Sequence, residues 1–181
     1  KTLYGSFGVG GLILDSKSKL EPLMYGGSGI DSLSHTMPEM VPERYESGSR
    51  NIQAVAGLNA ALKWILEQGV ESIYQKEKEY TTKLVDIIKG YSNIKLVGYK
   101  DDESNIGVVS CLFDGYSSDN IGQVLNEQDI AVRTGLHCSP IAHEFFGTSP
   151  EGTVRFSIGY FNTDEDLEKL QVALDYIELN G

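Results

Sequence analysis

The residue types that can do chemistry are concentrated in one glycine- and proline-containing stretch in the last third of the chain. Cys138 directly follows His137 and lies five residues before His143. Arg133 and Arg155 flank this group on short runs typical of β-strands. Imidazole and guanidinium groups near a thiol favour the nucleophilic thiolate. The pattern therefore predicts a nucleophilic cysteine on a loop, beside two arginines whose guanidinium forks match a carboxylate.

The same side chains allow other interpretations. Thiolate and imidazole suit zinc, but a closed site takes four ligands and the further candidates nearby are Glu144 and Glu151. A protease-type pair is disfavoured because adjacent residues rarely face each other, which places His137 poorly as a base for Cys138. We therefore expect no metal. From the residues alone, two further interpretations remain open. Cys138 could be an ordinary surface thiol, and each arginine could form a surface or interstrand ion pair.

Composition limits the class of protein. The chain has 181 residues with a formal net charge of -11 and 40% hydrophobic residues, which suits one globular domain or a domain with an appendage. The negative charge opposes binding to nucleic acid. No apolar run is long enough to span a bilayer, and two cysteines do not make a disulfide framework. We expect a cytoplasmic protein without nucleic-acid or membrane partners.

Apolar periodicity predicts helices, strands and a boundary between them. Helices are predicted over residues 53–68, 70–89, a short segment after Ser117 or Ser118, and a last segment that begins with a capping box at Thr163. Strands are predicted over residues 12–15, 94–97, 106–113, 130–133 and 153–158. Cys111 shares one face of its predicted strand with Val109 and Phe113 and is expected to be buried. The order of elements predicts an α/β sandwich, with helices packed on one sheet.

Four blocks of the sequence resemble consecutive landmarks of a known family. The blocks are KTLYGSFGVGGLIL, RYESGSRNIQAVAGLNAAL, IAVRTGLHCSPIAH and GTVRFSIGYFNTDEDLEKL. They resemble the cysteine desulfurases, NifS-like pyridoxal-phosphate enzymes related to the class V aminotransferases. The resemblance implies the small C-terminal domain of a fold-type I transferase over residues 56–181. Residues 1–55 would be the tail of the large cofactor-binding domain, with a loop, a strand and a long loop.

The resemblance also implies roles in substrate chemistry. Cys138 matches the cysteine that receives sulfur as a persulfide. Arg155 matches the arginine that binds the substrate carboxylate, and Arg133 lies in the block that lines the pocket. The reaction implied is removal of sulfur from L-cysteine to give alanine and the persulfide on Cys138. The alternatives are a selenocysteine or cystine lyase of the same family, or a sulfur-relay or binding domain without catalysis.

Cofactor contacts are implied in the same way. Lys1 matches the lysine that binds pyridoxal phosphate covalently. Ser49 stands in the place of a family threonine that reaches the cofactor phosphate of the neighbouring subunit, and Asn51 belongs to the same block. Ser6 and Arg50 depart from the family by replacing commoner prolines. A homodimer is implied, and a sulfur-acceptor protein is a further partner, as in iron-sulfur cluster assembly, although the sequence does not specify the pathway.

The family's other cofactor contacts precede the matched lysine. They include a ring-stacking histidine, an aspartate on the pyridine nitrogen and most phosphate donors. We therefore expect the chain to be the C-terminal part of such an enzyme. By itself it is expected not to hold pyridoxal phosphate productively, and so to be inactive.

Overall fold

A computed structural model describes residues 3–30, 33–100 and 105–180. Lys1, the predicted cofactor lysine, lies outside these residues. The chain divides into two compact units, Lys1–Gly69 and Val70–Gly181, called here the first and second units. The domain boundary that the sequence predicts after residue 55 stays a prediction. No described helix is both long and apolar enough to cross a membrane.

The first unit contains one long helix, α1 (Ile52–Gln68), where the sequence predicts one. Its N-terminus is capped by Asn51, whose side-chain oxygen accepts a hydrogen bond of 3.1 Å from the backbone N–H of Ala54. It ends at Gly69, whose φ of 82° suits glycine. The described part of the preceding long loop contains one short 3-10 helix, Glu43–Tyr45.

The strand predicted over residues 12–15 is not formed. This segment has no regular secondary structure, and the side chains of Leu12 and Ile13 are 71% and 98% exposed. A β-strand persists only when its backbone groups pair with a neighbouring strand. Among the described residues of the first unit there is no such strand, so the apolar run alone was a misleading signal.

The second unit is an α/β sandwich, as predicted. In chain order its elements are α2 (Val70–Lys89), β1 (Ile94–Val97), β2 (Val108–Phe113), α3 (Ser118–Glu127), α4 (Pro140–Phe145), β3 (Val154–Ser157) and α5 (Asp164–Leu179). The strands form an antiparallel sheet in the order β1-β2-β3. The buried core lies between one face of this sheet and the helices α2, α3 and α5.

Local signals explain where the helices of this unit begin. The Ser117 hydroxyl accepts a hydrogen bond of 3.2 Å from the backbone of Asn120 at the start of α3. The predicted capping box opens α5, and the backbone N–H of Thr163 donates to the Asp166 carboxylate at 3.0 Å. That hydrogen bond holds the pKa of Asp166 below its ordinary value.

The alternation along the strands separates an apolar face from a polar one. Val109, Cys111 and Phe113 of β2 are buried in the core, as are Val154 and Phe156 of β3. Because successive side chains point to opposite faces, the residues between them lie on the other side of the sheet. That second face carries the groups of the candidate site.

Two predictions in this region need correction. Residues 130–133 form no strand, and only Arg133 makes a β-bridge, to Arg155. The short helix α4 lies in a segment that its glycines and prolines predicted as loop. Pro140 occupies the first turn of α4, where proline is favourable because its fixed φ suits a helix and no N–H is needed.

Candidate active site

The two arginines of the predicted site are direct neighbours across the sheet. The backbones of Arg133 and Arg155 exchange two hydrogen bonds, of 3.1 and 2.7 Å, so their side chains leave the same face. Arg155 is also paired with Ser110 of β2. Among the described residues, neither guanidinium has an ion-pair partner, and Nε of Arg155 is buried without a hydrogen bond. Unpaired buried donors of this kind suit an anion such as a carboxylate.

A cleft of about 290 Å³ lies over this face of the sheet. Its floor carries Val97, Ser110 and Arg155, one residue from each strand. The segment between Arg133 and β3 supplies further lining residues, among them His137, His143 and Phe146. All of these belong to the second unit, so the three strands and the loop position the cleft without help from the rest of the chain.

Cys138 is presented by an unusual turn of the backbone. His137 and Cys138 have φ values of 52° and 62°, a left-handed conformation that is uncommon for residues other than glycine. The thiol is exposed, and its sulfur lies 3.1 Å from Nη2 of Arg133, which donates a hydrogen bond to it. The structure therefore brings Cys138 into contact with Arg133, which is in turn bridged to Arg155.

The side chain of His137, the other residue of this turn, is held by Thr153. Its Nε2 lies 2.9 Å from the hydroxyl of the fully buried Thr153, whereas its Nδ1 is buried without a hydrogen-bond partner. Burial, followed by the positive charge of Arg155 and smaller contributions from His143 and Arg133, lowers the pKa of His137. The imidazole is therefore neutral near neutral pH.

His143 supports this arrangement from α4. It is buried, and its Nδ1 lies 2.7 Å from the Thr148 hydroxyl. Its ring centroid is 5.4 Å from that of His137. The metal interpretation of these side chains gains no support, because the described residues contain no group of three histidine, cysteine or acidic side chains placed to hold an ion. The contacts to Thr148 and Thr153 were not anticipated, although the sequence predicts Thr153 in the same strand as Arg155, and the structure places it directly before β3.

The two cysteines are expected to differ in reactivity. Burial raises the pKa of the Cys111 thiol to about 12, and its side chain is 0% exposed, as the sequence predicts. Iodoacetamide should therefore alkylate Cys138 at least about tenfold faster than Cys111 in the native protein, since thiolate and access control the rate. Peptide mass spectrometry of a time course measures both rates, and comparable rates would contradict the burial of Cys111.

The lowered pKa of His137 predicts a pH-dependent contribution to stability. The unfolded chain has an ordinary histidine pKa and binds the proton more readily, so stability is lost as pH falls below about 6.5. Urea denaturation at about pH 7.5 and about pH 5.5 should show a larger loss on acidification for the wild type than for His137→Asn. Equal losses in both proteins would be inconsistent with the lowered pKa.

The predicted cofactor-phosphate residues lie in the first unit. Ser49 lines a concave surface with Ser28 and three glycines, of which Gly29 and Gly48 have positive φ. This surface adjoins the N-terminus of α1, and Asn51 is the residue that caps that helix. Hydroxyls and glycine backbone near a helix N-terminus are donors that suit a phosphate group. The residues present therefore fit the phosphate of the implied cofactor.

Comparison with known proteins places the chain in a family. Residues 1–170 match the aminotransferase class-V family. The chain belongs to this family.

Two relatives carry the name cysteine desulfurase. That of Synechococcus elongatus is 33% identical over 182 residues, covering 97% of this chain and 28% of the relative. A probable cysteine desulfurase of Haemophilus influenzae is 34% identical over 179 residues, covering 96% of this chain and 39% of the relative. The chain thus spans well under half the length of these relatives.

Solved structures agree with this assignment. The apo cysteine desulfurase of Thermococcus onnurineus has a TM-score of 0.75 and 27% identity, over 86% of this chain and 39% of that one. A C-DES mutant with glycine covalently linked to its PLP cofactor has a TM-score of 0.59 and 25% identity, over 73% of this chain and 31% of that one. The predicted fold is confirmed, and pyridoxal phosphate is a cofactor found within this group of structures.

Proposed function

We propose that the chain is part of a pyridoxal-phosphate-dependent cysteine desulfurase, which moves sulfur from L-cysteine to Cys138 and releases alanine. One observation carries the proposal. An exposed thiol in contact with the Arg133 guanidinium lies on the same sheet face as the unpaired, buried Nε of Arg155. The relatives named cysteine desulfurase support it.

Arg155 would bind the carboxylate of the substrate. Its backbone is paired on both sides, with Ser110 and with Arg133. This pairing holds the Cα of Arg155 in place and so limits where the guanidinium can lie. A carboxylate in the cleft would supply the partner that Nε lacks. Binding of this kind orients the amino acid with its side chain free to reach the accepting thiol.

Cys138 would accept the sulfur as a thiolate. The hydrogen bond from Arg133 stabilises the negative charge on its sulfur. As a new sulfur–sulfur bond forms, the bond from Cβ of the substrate to its sulfur breaks and leaves its electron pair on carbon. The carbon takes up a proton to give alanine, and Cys138 carries a persulfide. Atoms and electrons balance without an external oxidant.

Lys1 would bind the cofactor covalently, whereas Ser49, on the concave surface beside the helix that Asn51 caps, would reach the phosphate of the cofactor in the neighbouring subunit. Lys1 lies outside the described residues, and its role rests on the resemblance of its block. Ser49 and the adjoining glycines offer the donors that a phosphate needs. Pyridoxal phosphate, when bound, withdraws electrons from the amino acid and so makes its carbon–sulfur bond breakable.

The experiment that tests the function is a product assay. The complete gene product is supplied with pyridoxal phosphate and L-cysteine, and alanine and the persulfide on Cys138 are quantified together. Equal amounts of both in a single turnover support the proposal. Pyruvate from cystine without a protein persulfide would identify a cystine lyase, and alanine from selenocysteine alone a selenocysteine lyase. A persulfide that needs a separate donor enzyme would identify a relay domain.

Several finer features belong to the same proposal. The resemblance supports a homodimer, a cytoplasmic location and a sulfur-acceptor protein, with iron-sulfur cluster assembly as one destination. We further propose that residues 1–181 by themselves are inactive, because the first unit leaves Ile13, Leu23 and Leu33 more than 90% exposed and such surfaces are normally covered by protein. A stoichiometric, protein-specific absorbance band on titration with pyridoxal phosphate would contradict this.

A further inference from the structure

Two residues that line the cleft each have a buried polar atom without a hydrogen-bond partner among the described residues. The atoms are Nε of Arg155 and Nδ1 of His137. The proposed function gives Arg155 a ligand but leaves His137 without a role. A buried polar atom without a partner is costly, and one on a residue that lines a cleft is explained when a ligand supplies the missing group.

The contacts of His137 favour one of the two tautomers of its ring. Nε2 lies 2.9 Å from the Thr153 hydroxyl, and a hydrogen bond to the Thr153 backbone, whose carbonyl can only accept, raises the pKa of the ring. We therefore assign the proton to Nε2, which leaves a lone pair on Nδ1. The charged or titratable groups facing the ring are Arg155 from β3, Arg133 from the segment bridged to it, and His143 from α4. Burial of the ring, followed by the positive charge of Arg155, lowers the pKa of His137 and so preserves the lone pair.

We propose that Nδ1 of His137 accepts a hydrogen bond from the sulfhydryl of the amino-acid substrate and takes its proton as the sulfur passes to Cys138. This inference rests on the proposed function. The substrate sulfur must come into contact with Sγ of Cys138, the residue next to His137, while the carboxylate binds Arg155 in the same cleft. A substrate that spans these two residues carries its sulfhydryl towards His137, which lines the cleft together with Arg155.

The proton balance is closed within the step. The thiolate of Cys138 attacks the substrate sulfur, whose proton passes to Nδ1 while the electron pair of the broken carbon–sulfur bond stays on carbon. Cys138 then carries a persulfide anion, and His137 is an imidazolium. The carbon takes up one proton to form alanine, and the imidazolium releases one, so no net proton is gained or lost. The neighbouring guanidiniums favour that release, because they repel the imidazolium.

The test compares His137→Asn with the wild type in the complete gene product. Asparagine tolerates the left-handed backbone at this position but cannot take a proton. We expect kcat with L-cysteine to fall about 100-fold, with loss of the acidic limb of the pH profile, as for removal of a general base. Inhibition by L-alanine, which has the carboxylate but no sulfhydryl, should change by less than about twofold. His35→Asn, an exposed histidine of the first unit, is the matched control and should retain wild-type kcat.

A second readout needs no turnover. Nitrogen NMR of the imidazole in the ligand-free protein should show Nε2 protonated and Nδ1 unprotonated at neutral pH, and the opposite tautomer would overturn the inference. An unchanged kcat in His137→Asn would also overturn it. A loss accompanied by weaker L-alanine inhibition and altered alkylation of Cys138 would show that His137 only holds the loop. If the wild type forms no alanine from L-cysteine, the proposed function falls together with this inference, whereas the other outcomes leave that function intact.

Discussion

Replacing Cys138 by serine is expected to abolish persulfide formation and to lower alanine release from L-cysteine at least about a thousandfold, as for loss of a nucleophile. A serine hydroxyl is not ionised near neutral pH and is a poor nucleophile towards sulfur. It would also lose the charge-assisted contact that the Arg133 guanidinium makes with the sulfur at 3.1 Å. Alanine release in multiple turnover and the mass of the intact protein after a single turnover measure the two effects.

The matched control is Cys111→Ala. This cysteine is fully buried on the opposite face of the sheet, and its removal should leave the persulfide and the rate of alanine release near their wild-type values, at a modest cost in stability. If Cys138→Ser kept most of its turnover with cysteine, the sulfur would leave without a protein persulfide. That result would favour the lyase alternative and contradict the role proposed for residue 138.

The elements that the sequence predicts correctly are those set by local signals. The last helix has its cap at Thr163 and Asp166, and its apolar stripe supplies core residues such as Leu170 and Leu174. Both features depend on residues within a few positions of each other, so neither needs knowledge of the fold. The alternation along β3 likewise predicts that Arg155 leaves the apolar layer, because the side-chain period of a strand is two.

The parts that could not be predicted depend on distant partners or on backbone conformation. The Arg133 bridge joins residues 22 positions apart, and nothing in either segment specifies that pairing. Residues 12–15 have a strand-like composition but no neighbouring strand in the described part of their unit. His137 and Cys138 adopt a left-handed backbone conformation. Neither residue is a glycine, so the sequence gives no signal for this turn. This turn aims the thiol at Arg133, a contact that residue spacing alone did not indicate.

Replacing Arg155 by glutamine is expected to lower kcat/KM for L-cysteine about 100-fold, mainly through KM, because a charge-assisted contact with the carboxylate is lost. Inhibition by L-alanine should weaken by a similar factor, since alanine carries the same carboxylate. Arg155→Lys keeps the charge but not the planar fork of the guanidinium, so its decrease in kcat/KM should be intermediate, about tenfold. Initial rates over a range of substrate concentrations, with and without L-alanine, separate the two constants.

Two other arginines make this test specific. Arg44→Gln removes a half-buried guanidinium that is paired with Glu21 in the first unit and should leave both constants unchanged. Arg133→Gln removes the guanidinium that contacts the Cys138 sulfur. This substitution should lower kcat and the rate of Cys138 alkylation, with little change in L-alanine inhibition. If Arg155→Gln instead lowered kcat and left L-alanine inhibition intact, the carboxylate would bind elsewhere. The unpaired Nε of Arg155 would then need another ligand. An anion is the expected kind, because it would relieve the repulsion between the two adjacent guanidinium groups.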